Sequence, residues 1–266
     1  MKLLAEGSEK KVYPPIIVGS SVLVISALVD SVFGLGPLIG LTFFLYGILL
    51  GNAYRNPGRV IKTNENSILT PIDGVVESTI FQIPIGYRPS PEEIGTENHE
   101  IDSISGDWIM KSPENLDYKT EFLWKEVDTN ESTEHIVKRI RIRKTFLDPR
   151  IIYSPVAGKI VAQELRLPVI SSVKTDAIDY QSRLRMVFQN ERGNVEMTIF
   201  STANSFEPYL FIDDSVKQGD KLCLVHSNNI QVDVRVQSEV WDYSNIKSQS
   251  KMIEAMHDSI FETKGG

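Results

Sequence analysis

Between Pro14 and Tyr54 the chain carries a single charge, Asp30. No other feature constrains the fold as much, because a run this poor in charge has to be covered by lipid or by protein. It divides into Ile16–Val29 and Pro37–Ala53, separated by Asp30-Ser31-Val32-Phe33-Gly34-Leu35-Gly36. As helices these segments reach about 21 and 26 Å, short of a hydrocarbon core of about 30 Å. Adding Tyr13, Val32 and Phe33 brings the first towards a full span. Two forms stay open: a two-helix hairpin that crosses a membrane, or a re-entrant element that dips in from one side. Lys10 and Lys11 precede the run, Arg55, Arg59 and Lys62 follow it, and the intervening loop holds no Lys or Arg. The positive-inside rule therefore places both ends on the cytoplasmic side of the cell membrane. A signal peptide would need a small-residue cleavage site before the second segment, and none is evident. A pair of buried core helices is the weaker alternative. Residues 1–54 are expected to form an N-terminal membrane anchor.

Downstream, Thr70-Pro71-Ile72-Asp73-Gly74-Val75-Val76 recurs as Ser154-Pro155-Val156-Ala157-Gly158-Lys159-Ile160. Both copies read hydroxyl-Pro-aliphatic-x-Gly-x-aliphatic. Proline suits a strand start or an edge, and glycine allows a turn between buried aliphatics through positive φ. A third turn, Val216-Lys217-Gln218-Gly219-Asp220-Lys221-Leu222, carries Gly-Asp between apolar runs. Strand-like stretches follow at Arg183–Gln189, Val195–Ser201, Leu222–Val225 and Ile230–Val236. Together they predict a mainly β domain over 55–240, a compact barrel or sandwich with lipoyl-like hairpin turns.

Residues 84–117 are rich in Pro, Ser, Glu, Asp and Gly, and an exposed insertion is expected near 84–135. In Ile136–Phe146, Ile140 and Ile142 alternate with Arg139, Arg141 and Arg143. That stripe would either meet anionic headgroups or form the solvated face of an edge strand. Met252, Ile253, Met256 and Ile260 fall at helical spacing, so 246–262 reads as an amphipathic helix within a C-terminal tail, 241–266.

The net charge of −7 argues against nucleic-acid binding. One cysteine, Cys223, excludes an internal disulfide and a cysteine zinc cage. The four histidines have no metal-ligand spacing, so no metal site is expected. Oligomeric state is left open, a homo-oligomer included.

In order and spacing these stretches resemble the phosphatidylserine decarboxylase family, including its archaetidylserine-processing short forms. Ala53-Tyr54-Arg55-Asn56-Pro57-Gly58-Arg59 stands where the family carries a Phe-Phe-Arg-Asp-Pro-x-Arg-like stretch after its membrane hairpin. Thr70-Pro71-Ile72-Asp73-Gly74 matches its Ser-Pro-Ala-Asp-Gly. The stretch from Leu147-Asp148-Pro149-Arg150 to Ile160 occupies the place of Asp-x-His running into Pro-x-x-Gly-x-Val, and Asn190-Glu191-Arg192 matches a downstream triplet. The resemblance covers most of 15–236 outside the insertion.

It implies removal of CO2 from a serine phospholipid headgroup, in phospholipid biosynthesis at the membrane surface. The electron sink would be a pyruvoyl group made by self-cleavage at a serine. By resemblance Asp73 is a catalytic carboxylate, and Arg55, Arg59 and Arg150 are headgroup contacts. A plain juxtamembrane positive flank accounts for Arg55, Arg59 and Lys62 equally well. Two departures matter. Arg150 replaces the histidine that would serve as base, and arginine keeps its proton. Counting from Gly219-Asp220 puts Asn228-Asn229 where Gly-Ser is cut; the nearest hydroxyl is Ser227, preceded by His226. His226-Ser227 is thus the candidate cleavage pair, two residues out of register, with Ser227 the source of any pyruvoyl group. Two functions follow: a lipid decarboxylase, or a non-catalytic relative that binds phospholipid or acts as a scaffold. A lipoyl-type adaptor of an export pump would carry long coiled-coil heptads, and the chain has none.

Overall fold

The computed structural model describes residues 4–28, 35–59, 61, 64–84, 99–101, 108–110, 124–127, 136–146, 148–166, 182–201, 206–244 and 251–264. Lys62, Leu147, the loop residues 29–34 and most of the 84–135 insertion fall outside them. Helices α1 (Glu9–Leu28) and α2 (Leu35–Ala53) are followed by β1 (Ser67–Leu69) and β2 (Gly74–Pro84). Within the insertion lie β3 (His99–Ile101), β4 (Trp108–Met110) and β5 (Trp124–Val127), and β6 (Val137–Arg143) follows it. A second short–long pair, β7 (Ile151–Tyr153) and β8 (Gly158–Arg166), leads to β9 (Ser182–Asn190) and β10 (Gly193–Ser201). The chain then forms β11 (Phe206–Pro208), β12 (Ser215–Val216), β13 (Lys221–Val225) and β14 (Ile230–Gln237). It ends with β15 (Trp241–Tyr243), β16 (Met252–Ile253) and β17 (Ser259–Thr263).

The fold is mainly β. A nine-stranded sheet runs β12-β8-β9-β10-β14-β6-β2-β16, with β5 also on β2, and every pairing in it is antiparallel. Alternation gives it one apolar face: Ile140, Ile142, Met186, Phe188, Met197, Ile199, Val232 and Val234 are all buried. Ile68 of β1, Trp241 of β15 and Phe261 of β17 join the same core, as do Ile152 of β7 and Leu222 of β13. These belong to two smaller sheets, β1-β17-β15 and β11-β13-β7. The result is an open sandwich rather than a closed barrel. Burying a side chain the size of Phe188 or Phe261 contributes about 1.5–3 kcal/mol.

The repeated heptapeptide is the seed of an internal duplication. Leu69 N–H donates to Pro155 O and Tyr153 N–H to Pro71 O, both at 3.0 Å, so each copy bonds to the other reciprocally. Thr70 Oγ1 donates to Ile72 O at 3.0 Å, and Ser154 Oγ to Val156 O at 2.7 Å. Thr70 N–H reaches Asp258 O and Ser154 N–H reaches Asp220 O. The turn 254–258 after β16 therefore matches the turn 217–220 after β12. In each, the aspartate caps the first backbone N–H: Asp258 Oδ2 accepts from Glu254 N and Asp220 Oδ2 from Lys217 N.

Gly74 and Gly158 correct the expected reason for glycine. Neither has positive φ, whereas Gly219 in the third turn does, at 91°. The two repeat glycines are needed for close approach, because an added Cβ would run into Arg143 O and Gln189 O respectively.

Helix α1 begins at Glu9, seven residues before the apolar segment read from sequence, and at 20 residues spans about 30 Å. Pro14 and Pro15 lie inside it and remove the donors that would reach the carbonyls of Lys10 and Lys11. Both helices are long and apolar enough to cross a membrane by length and composition, and most of their surface is uncovered by protein. They pack as a hairpin, Gly19 lying against the Phe44 backbone. Ala5 N–H donates to Tyr54 O at 2.8 Å, and Leu4 bridges Arg55, so both ends of the hairpin meet at the β domain. Tyr54, Val12 and Ala5 share a small core with Ile151, Leu224 and Met256.

Two sequence expectations fail here. The described part of the C-terminal segment, 251–264, is no helix: Ile253 lies in β16 and Ile260 in β17, joined by a turn in which Met256 takes φ 62°. The arginine stripe is not on an edge strand. Strand β6 is interior, between β14 and β2, and its arginines meet acids on the neighbouring strands. Arg141 clasps Asp233 through Nε and Nη2 at 2.6 and 2.7 Å, and Arg235 joins Asp233 at 3.1 Å to Glu196 at 3.0 Å. Arg185 closes the row on Glu196 at 2.8 Å. Burial alone would raise the Asp233 and Glu196 pKa values, but these guanidiniums hold both below the usual range.

Candidate functional site

The six candidate residues fall into two groups. Asp73, Arg59 and Arg55 form the first. Asp73 follows β1 in the first repeat, and Oδ2 pairs with Arg59 while Oδ1 accepts from Ala255 N at 2.7 Å. Arg59 also reaches Glu254 at 2.7 Å. Burial would lower the Arg59 pKa, but Asp73 keeps it raised. Asp73 thus fastens the turn 254–258 and Arg59 to the first repeat. Ala157 holds the equivalent position in the second repeat and has no such function. Arg55 donates to Asn52, the last turn of α2. Together with Asp148, Asp258 and Met252 these residues line a polar cleft of about 540 Å³.

Arg150, His226 and Ser227 form the second group, around Tyr54. The guanidinium of Arg150 stacks on the Tyr54 ring, 4.4 Å from its centroid, and donates to Asn228 Oδ1. Its backbone is pinned to the helix end by Arg150 N–H to Ala53 O at 3.2 Å. His226 bonds Tyr54 Oη through Nδ1 at 3.1 Å and Glu207 through Nε2 at 2.9 Å. Burial lowers the imidazole pKa, with Glu207 opposing. A neutral ring protonated on Nε2 satisfies both bonds. Both nitrogens are therefore occupied by partners other than Ser227. The Ser227 hydroxyl sits in a local turn, bonding Asn229 N and O at 3.2 Å each. The arrangement holds the base of the helices rather than setting an imidazole against a serine. Among the described residues no hydrogen bond joins Asp73 to His226 or Ser227.

Sequence reasoning missed Tyr54, Glu207, Asn228 and Lys144. Lys144, buried at the end of β6, lies between the two groups. Burial first and then the Arg150 charge lower its pKa to about 8, against the pull of Asp148. Asn228 carried a signal in its place at the resembled family's cleavage point, and Tyr54 in its place within the stretch 53–59. Glu207 and Lys144 become neighbours through contacts between segments far apart in sequence.

A second cleft, about 590 Å³, opens where the helices leave the β domain. Pro14, Pro15 and Val18 of α1 and Phe43, Tyr46, Leu49 and Leu50 of α2 give it apolar walls, while Lys11, Arg150 and Asn228 supply polar groups. Arg150 is 5% exposed, and its Nε–H has no acceptor among the described residues. A buried donor on a permanently charged group at the wall of an apolar cleft is matched chemically by an anionic oxygen. Among the described residues there is no cluster of His, Cys, Asp or Glu fit to hold a metal ion. No family model matches the chain, and neither does any curated protein or solved structure.

Proposed function

We propose that this protein is a membrane-anchored, non-catalytic phospholipid-binding module, with its hairpin in the membrane and its β domain on the cytoplasmic face. The orientation follows from Lys10, Lys11, Arg55 and Arg59 flanking the uncharged run. Arg150 carries the reading: a buried guanidinium, stacked on Tyr54 and with Nε–H unpaired, lines a cleft whose other walls are membrane-type helix. An acyl chain fits beside Val18 and Phe43, and a headgroup phosphate beside Arg150 and Lys11. Cation and apolar wall together select an amphiphile with negative charge at one end.

The pyruvoyl decarboxylase remains the other proposal. It needs Ser227 to attack the carbonyl of His226 with a base to take the proton. The bonds of His226 to Tyr54 and Glu207 favour the non-catalytic alternative.

The test is displacement of a fluorescent anionic phospholipid from the purified full chain in micelles. Arg150→Gln removes one charge-assisted contact worth about 1.5–3 kcal/mol, so affinity should fall by about 10- to 150-fold. Phosphatidylcholine should compete poorly. Equal affinity of wild type and variant for anionic lipid would defeat the proposal.

A further inference from the structure

We infer that residues 144–146, just after β6, form a third membrane contact, in which Phe146 lies in the boundary between headgroups and acyl chains and holds the β domain against the bilayer. The inference rests on the membrane reading above and adds to it a surface of the β domain itself.

The first observation is the side chain. Phe146 is 61% exposed, and it lines the same cleft as Val18 and Phe43 of the hairpin. The same cleft reaches Leu50 and Ala53 at the end of α2. An isolated exposed aromatic on a soluble surface is ordinary. This one borders a cleft whose other walls are exposed apolar side chains of the hairpin, so one lipid layer would wet both.

The second observation is the backbone. A turn entering a bilayer boundary must satisfy its polar groups internally. Thr145 donates to Asp148 Oδ2 twice, through N–H at 2.9 Å and Oγ1 at 2.6 Å. Lys144 Nζ donates to Thr145 O at 2.6 Å and to Phe146 O at 3.4 Å. Lys144 N–H donates to Ile230 O at 3.0 Å, which fixes the turn to the sheet. The buried lysine thus caps the carbonyls of Thr145 and Phe146 from the protein side.

The third observation is placement. Arg150, just past the turn, is bonded to Ala53 O at the end of α2, so the tip is held at a set position relative to the hairpin. Lys11, Arg55 and Arg150 surround the helix base, and Met252, 69% exposed, lies beside Arg55 in the neighbouring polar cleft. The acids of that cleft are engaged within the protein, Asp73 and Glu254 by Arg59, Asp148 by Thr145 and Asp258 by Glu254 N–H, so Lys11 and Arg55 are the charges offered to an anionic lipid surface.

The full chain in nanodiscs of phosphatidylglycerol and phosphatidylcholine tests this. A fluorophore is attached through cysteine in Phe146→Cys, Leu41→Cys and Glu191→Cys, one at a time, Cys223 being buried. Position 41 reports the outer surface of α2 and position 191 the exposed β9–β10 turn. Labels at 146 and 41 should both be quenched by spin-labelled lipid and shielded from iodide, and the label at 191 should show the reverse. Quenching at 146 should persist in an Arg150→Gln background, which assigns it to the bilayer rather than to lipid held in the cleft. If 41 is lipid-quenched while 146 behaves like 191, or if quenching at 146 vanishes with Arg150→Gln, the inference is wrong and the anchor stands. If 41 is not lipid-quenched, the membrane reading fails and takes this inference with it.

Discussion

Asp233 is fully buried, with Arg141 on both carboxylate oxygens, Arg235 at 3.1 Å and Arg139 at 3.8 Å. Replacing it with alanine takes the shared carboxylate from three guanidiniums, of which Arg235 keeps Glu196. Removing one partner of a buried ion pair costs about 3–5 kcal/mol, mostly the penalty of the stranded charge. At about 2–4 °C per kcal/mol for a chain of this size, the apparent Tm should fall by about 6–20 °C. Thermal unfolding in micelles, followed by tryptophan fluorescence, reads this through Trp241, which is buried in the sandwich core. Arg143→Ala is the control. Its side chain is 58% exposed and 3.9 Å from Glu77, so the change should stay within about 1 kcal/mol. The two should also differ in acid. Asp233 has its folded pKa lowered, so its stabilisation is complete above the unfolded value of about 3.9 and is lost as pH falls through the lower folded value. A drop of less than about 2 °C for Asp233→Ala at neutral pH would refute the reasoning, since it corresponds to about 1 kcal/mol or less. The arginine row would then have to be solvated after all.

Gly74→Ala and Gly158→Ala should each destabilise by about 1–3 kcal/mol, because both Cβ atoms would press on a carbonyl of the neighbouring strand. Denaturation of the two variants side by side checks the duplication, and a tolerated change at either position would break the equivalence. Cys223 is fully buried and its thiol pKa is pushed up by burial. A thiol reagent at pH 8 should leave the native protein unmodified while reacting fully with the unfolded chain; rapid native labelling would place that strand outside the core.

Much of the fold was legible because its signals are local. The heptapeptide repeat marked the starts of β2 and β8, and the alternation around Ile140 and Ile142 marked β6. The neighbours of β6 were not legible. An arginine stripe looks the same at an edge or in the interior, and Asp233 and Glu196 decide the matter from strands about 55–90 residues away in sequence. The C-terminal segment misled for a related reason. Met252, Ile253, Met256 and Ile260 are spaced as on a helix, but Met252 is 69% exposed, and the positive φ of Met256 turns two short strands rather than continuing one helix. At the candidate site, the succession Arg55, Arg59, Asp73 in the motifs corresponds to one cleft in space. The companionship of Arg150 with Tyr54 and Asn228 comes from tertiary packing alone.

The most direct test of the central claim is the native mass spectrum of the full chain released from membranes. It should show one uncut polypeptide of 30.0 kDa carrying a single anionic phospholipid, and the lipid should be lost in Arg150→Gln. Two fragments, the smaller beginning at a blocked residue 227, would contradict the account and establish pyruvoyl chemistry at Ser227.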